Sequence, residues 1–223
     1  MAVGIDVAEE RKGLDLVALD GQRRVVASIG RLSVDEAAHL VLSELHPALV
    51  CIDAPSGWAH SGRSRMSERH LRRLGITAFS TGPDPGDHPF YRWMRVGFAL
   101  FAALAPSYPL FRGTEPRGTA AEVFPEATAA LLAGRHRRRD ETKVGFRRQL
   151  LRSHHVDQTS LPNVDRVDAA LAALTGILAL EGTHCAVGDP WEGSILLPVA
   201  LLPTEPLRRS ATADPEIGSS VDP

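Results

Sequence analysis

The order of apolar and polar positions predicts strands first and helices later. Val3–Ala8, Leu14–Leu19 and Arg24–Ile29 read as short strands, separated by turn signals at Lys12-Gly13 and Asp20-Gly21. The period turns helical after Ser33: Ala37, Leu40, Val41 and Leu45 share one face, and Ser33 with Glu36 has capping-box spacing. Ala48–Asp53 is almost continuously apolar, the pattern of a central strand covered on both faces. Met66–Leu74 predicts a helix stopped by Gly75. Thr81–Pro89, with its glycines and prolines, predicts a loop, and Phe90–Leu104 one long apolar helix. Ala120–Phe124 reads as a strand, and Pro125 opens a helix at the position proline prefers. Lys143–His155 and Val164–Leu180 read as helices and Ser194–Leu197 as a last strand. The Ala and Gly positions of Val164–Leu180 allow close packing.

This alternation predicts an α/β protein. At 223 residues and 43% hydrophobic composition, the chain can bury a core without disulfides. The expected organisation is one domain over residues 1–202, interrupted by a basic, mostly helical insertion over 63–118 and followed by a disordered tail over 203–223. Cys51 and Cys185 sit in apolar, strand-like surroundings and read as free thiols. The amino terminus lacks the basic start and apolar run of a signal peptide, and no apolar stretch reaches bilayer length. A cytoplasmic location is the expectation.

The net charge of −2 conceals a segregation. Residues 63–152 carry 17 basic and 8 acidic side chains, while the rest carries 8 basic and 19 acidic ones. Only Lys12 and Lys143 are lysines. Arginine's planar fork suits phosphate recognition, and ordinary solvated helix faces explain the same count equally well; if the former holds, nucleic acid is the expected partner and Arg63, Arg65, Arg69, Arg72 and Arg73 are the candidate contacts. Trp58, Tyr91 and Trp93 lie close by in sequence and are candidates for stacking on unpaired bases.

Five carboxylates carry the candidate chemistry. Asp6 ends Val-Gly-Ile-Asp, Asp53 ends Leu-Val-Cys-Ile-Asp, and Glu122 lies in Ala-Ala-Glu-Val-Phe-Pro. Asp165 and Asp168 share one face in the first turns of a helix. Taken singly, each acid has an ordinary structural explanation as a cap, a turn or an ion pair. Gathered at one place they form an oxygen-rich, highly charged set of the kind that binds Mg²⁺ or Mn²⁺. No histidine or cysteine has the spacing of a zinc site, and no serine sits in a nucleophile elbow. His88, in its Gly-Pro loop, is a minor candidate for proton transfer.

The chain resembles the family called domain of unknown function 429, a group of predicted ribonuclease H-like nucleases. The resemblance rests on Gly4-Ile-Asp-Val-Ala with Lys12-Gly13, Ile52-Asp53-Ala54-Pro55, Glu68-Arg69 before Leu-Arg-Arg-Leu-Gly, and Glu122-Val-Phe-Pro. It continues through Asp168-Ala-Ala-Leu-Ala-Ala and Gly188-Asp189-Pro190-Trp-Glu-Gly-Ser-Ile-Leu-Leu-Pro. It implies a ribonuclease H-like mixed β-sheet flanked by helices, and acids at strand one, strand four and the last helix: Asp6, Asp53 and Asp168. Asp165 is then a helper, and Glu122 matches the family's Glu-aromatic-Pro motif. The implied activity is phosphodiester hydrolysis of DNA or RNA with two divalent ions in the substrate-bound state. Two other functions fit the same fold. One is a non-catalytic nucleic-acid-binding or scaffold protein; the other is a phosphotransferase, which the sequence after Asp6 (Val-Ala-Glu-Glu) matches poorly.

Overall fold

A computed structural model describes residues 1–207. The tail expected to be disordered lies, from residue 208 onward, outside the described residues. Seven strands form one mixed sheet: β1 (Ala2–Asp6), β2 (Leu14–Leu19), β3 (Val25–Leu32), β4 (Leu49–Asp53), β5 (Ala120–Glu122), β6 (Cys185–Asp189) and β7 (Gly193–Leu197). Their order across the sheet is β3-β2-β1-β4-β5-β7-β6. β1, β4, β5 and β7 run parallel, whereas β2, β3 and β6 are antiparallel to their neighbours. An antiparallel three-strand start joined through β1 to parallel β4 and β5, with helices on both faces, is the ribonuclease H-like arrangement.

Among the described residues, six α-helices cover the sheet: α1 (Val34–His39), α2 (Met66–Arg73), α3 (Arg92–Leu104), α4 (Pro125–Ala133), α5 (Lys143–Ser153) and α6 (Val164–Leu180). The capping box forms as its spacing predicts, with the Ser33 side chain accepting from the Glu36 amide and Glu36 returning to the Ser33 amide. α1 then runs into a π-helical turn, Leu40–Leu45, that ends at left-handed His46. The expected long helix from Phe90 is instead a 3₁₀ turn, Pro89–Tyr91, followed by α3. Pro89 takes an initiating position, and His88 Nδ1 accepts from the Phe90 amide. β6 has no counterpart among the expected strands. It carries few large apolar residues and forms a sheet edge, tied to β7 by a turn in which Asp189 accepts from the Trp191 and Glu192 amides.

Strand alternation divides the core. Val3 and Ile5 of β1, with Val50 and Ile52 of β4, pack against α1 and against Leu100, Phe101 and Leu104 of α3. Ala2 of β1 and Leu49 and Cys51 of β4 face the other way, toward α6. On that side α6 lies unusually close to the sheet. A Cβ at Gly4 would stand 2.0 Å from the Ala169 carbonyl oxygen and 2.3 Å from the Ala173 nitrogen. Glycine at position 4 therefore sets the distance between β1 and α6. Within residues 63–118, α3 joins the α1 layer, and Leu71, Leu74 and Ile76 pack with Val187, Ile195 and Leu197 of β6 and β7.

Candidate functional site

The register of the central strands pairs Asp6 with Asp53 at the carboxyl ends of β1 and β4. Both follow the alternation that turns Ala2, Gly4, Leu49 and Cys51 toward α6, so both carboxylates are directed to the amino-terminal end of that helix. Asn163 caps α6 by accepting from the Arg166 amide. Asp165 and Asp168 then occupy the first turns, one helical step apart. The four aspartates and Glu122 line one cavity of about 400 Å³, together with Lys143, Arg147 and Glu126.

These aspartates differ in how their charge is balanced. Asp168 accepts from Arg147 and is 3.2 Å from Lys143 Nζ. Asp165 accepts from Lys12 Nζ at 2.8 Å. Asp6 and Asp53 have neither a hydrogen bond nor an ion pair among the described residues. Burial, then the Asp53, Asp168 and Asp165 charges, push Asp6 up to about 9. Burial and the Asp168 charge push Asp53 up to about 7, against the opposing pull of Arg147 and Lys143. Lys12 is raised by its hydrogen bond to Asp165. Arg147 is buried; Asp168 and Glu126 outweigh the burial and hold its proton firmly, and its Nε has no partner.

Glu122 reaches this cavity from the other side of the sheet and is held by a different set of partners. Ala121 and Val123 face α6, so Glu122 is turned to the opposite face with Ala120. There the Arg65 guanidinium binds both of its oxygens, and the Ser56 amide donates to Oε2 at 3.0 Å. Arg65 also reaches Glu68 at 3.1 Å, and Glu68 accepts from the amides of Arg65 and Thr81. Arg65, Glu68 and Glu122 are each no more than 3% exposed. This corrects one expectation: Arg65 does not face solvent as a phosphate contact, because two carboxylates saturate its fork. The other expected arginines divide. Arg69 donates to the Ser64 carbonyl, and Arg72 binds Ser64, Ala78, Phe79 and Ser80. Arg63 and Arg73 are exposed.

Lys143 and Arg147 are the principal residues that the sequence reading passed over. Their i, i+4 spacing on α5 was the available signal, since it puts two bases on one helical face. Among the aromatics, Trp58 is half-buried in edge contacts with Tyr91 and Phe98, with the Arg95 guanidinium 5.3 Å above its ring. Trp93 and Phe79 line the cavity itself.

Among the described residues, no three His, Cys, Asp or Glu side chains are arranged to grip an ion as they stand. The donor chemistry nevertheless suits a hard divalent cation at Asp6 and Asp53: adjacent carboxylates, half-buried, with no cation of their own. Asp165 and Asp168 would join only by exchanging the ammonium and guanidinium groups they now hold.

A family model described as "Protein of unknown function (DUF429)" matches residues 4–192. Among curated proteins none matches the chain. Among solved structures, that of Thermus thermophilus RuvC is similar, at 16% identity and a TM-score of 0.45 over 84% of this chain and 98% of the other. No helix among the described residues is long and apolar enough to cross a membrane.

Proposed function

The chain belongs to the DUF429 family, and we propose that it is a divalent-metal-dependent nuclease that hydrolyses phosphodiester bonds of DNA or RNA. The observation that carries this reading is the pairing of Asp6 with Asp53 across two parallel strands, unpartnered and facing Asp165 and Asp168. Like charges brought together in a half-buried place raise the free energy of the protein unless a cation balances them. Asp6, Asp53 and Asp168 would hold magnesium or manganese. When bound, the ion supplies charge neutralisation at the phosphate and a water that is easier to deprotonate.

The chain's own groups have complementary tasks. Lys143 and Arg147 hold Asp168 in the ion-free protein and, exchanged for the ion, would offer positive charge to a phosphate entering the cavity. Lys12 orients Asp165. Glu122 acts from the opposite face, where its bond to the Ser56 amide fixes the segment after β4. Exposed Arg63 and Arg73 would contact flanking phosphates, giving affinity that falls with salt and carries no sequence preference.

The test is a Mn²⁺-dependent cleavage panel of single strands, duplexes, hybrids and branched junctions. Asp6→Asn and Asp53→Asn should stay folded and lose cleavage by at least about 100-fold, the scale expected when a site loses a group that stabilises developing charge. Wild-type rates in the double variant would remove the proposed centre. One observation favours a second reading, a non-catalytic nucleic-acid-binding protein: Lys12, Lys143 and Arg147 already balance Asp165 and Asp168 without an ion. That reading expects binding with no cleavage of any panel member.

A further inference from the structure

We infer that the same cavity includes a stacking place for one unpaired nucleobase, the exposed face of Phe79, braced edge-on by Trp93. This rests on the nuclease reading and narrows its substrate to nucleic acid that is single-stranded, or frayed, at the cleaved position.

The cavity has two chemically different walls. Asp6, Asp53, Lys143 and Arg147 lie on the α6 side of the sheet. Phe79, Trp93 and Met94 line it from the side of α3. Phe79 is 57% exposed and neighbouring Phe90 46% exposed. Their ring centroids are 5.7 Å apart, and Phe79 lies 6.0 Å from Trp93. A single exposed phenylalanine needs no explanation. An exposed ring that borders a charged cavity on an anchored backbone is a different matter.

The anchoring is specific. Arg72 binds the Ala78 and Phe79 carbonyl oxygens at 3.3 and 3.4 Å and Ser80 Oγ at 2.6 Å. Two residues further on, the Thr81 amide donates to buried Glu68 at 2.9 Å. The loop is thus tied to α2 on both sides of Phe79, and the ring is presented to water instead of folding into the core. Presenting a fixed aromatic surface beside a phosphate-binding wall suits a ligand with a flat π-face and a negative charge, which a nucleotide has.

Size and pairing limit the ligand further. A volume of about 400 Å³ is at the small end of the ligand-sized range. It has room for one nucleotide. A base within a duplex also has both faces covered by its neighbours, so only an unpaired or displaced base can stack on Phe79.

The experiment measures binding without metal, in EDTA, so that cleavage plays no part. Short single-stranded DNA and RNA carrying 2-aminopurine, a blunt duplex of the same sequence and AMP are titrated against the full chain. Single strands should bind more tightly than the duplex, with quenching of 2-aminopurine. Phe79→Ala should weaken single-strand binding about tenfold, the size expected for one lost base stack, and leave the duplex and the melting temperature unchanged. Phe79→Tyr should retain tight binding. Unchanged single-strand binding in Phe79→Ala would overturn the inference, as would equal wild-type affinity for duplex and single strand. So would binding of AMP with oligonucleotides excluded, which would indicate a mononucleotide substrate. If Phe79→Ala behaves as wild type while Asp6→Asn abolishes cleavage, the base subsite fails and the nuclease reading stands.

Discussion

Two groups of buried charge stand at the carboxyl ends of the central strands, and they are built on opposite principles. On one face, Glu122 and Glu68 enclose Arg65, and backbone amides of Ser56, Arg65 and Thr81 fill further acceptor sites. On the other face, Asp6 and Asp53 lie side by side without a partner, while the nearby Asp165 and Asp168 each hold a base. The first group is complete in itself and holds two loops in place. The second lacks positive charge where it is most needed. Both groups line the same cavity; the closed arrangement serves the fold, and the open one is where the proposed function places a cation.

The strongest way to break this contrast is to open the closed group. Arg65→Met leaves two buried carboxylates unbalanced and should cost about 3–5 kcal/mol in denaturant unfolding. A loss under about 1 kcal/mol would mean that the triad does little for the fold. Asp6→Asn should act in the opposite direction, raising stability at pH 8 by about 1–3 kcal/mol, because it removes a carboxylate disfavoured by burial and by its neighbours. A destabilised but folded Asp6→Asn would contradict the claim that the second group is open.

The pH dependence sharpens the same point. Asp6 in the folded protein keeps its proton up to about 9, and Asp53 up to about 7, whereas both ionise near 3.8 in the unfolded chain. Between those values the folded state binds more protons, so these groups lower stability as pH rises from about 4 to about 9 and add no further loss above that. The difference in melting temperature between Asp6→Asn and wild type should therefore widen from pH 5 to pH 9 in metal-free buffer. A constant difference would remove the electrostatic argument. The smallest effect is expected at Lys12, whose side chain is 57% exposed in its pair with Asp165. Lys12→Met should change stability by less than about 1 kcal/mol, and a larger loss in the same unfolding assay would place that pair with the closed group.

The placement of the candidate aspartates was legible because it depends on local sequence. Asp6 and Asp53 end apolar runs, and matching strand ends required only that β1 and β4 be neighbours. Asp165 and Asp168 follow from an unmistakable helix. The Ser33 box and Pro125 start their helices as their chemistry dictates. Glu122 was not legible in the same way. β5 is three residues long, too short for its pattern to say which face a side chain takes, and the partner that decides the matter, Arg65, lies 57 residues away. The arginine segregation misled for a related reason: a count along the sequence does not separate Arg65, enclosed by carboxylates, from exposed Arg63. Phe79 was invisible because nothing local predicts that Arg72 will hold its loop outward.

The most direct test is a calorimetric titration with Mn²⁺ at pH 7.5 in buffers of different ionisation enthalpy. Wild-type protein should bind saturably and release protons, chiefly from Asp6, which still holds its proton at this pH and must give it up to act as a ligand, and the Asp6→Asn/Asp53→Asn variant should lose both signals while remaining folded. Identical heats and proton counts in the two proteins would contradict the account.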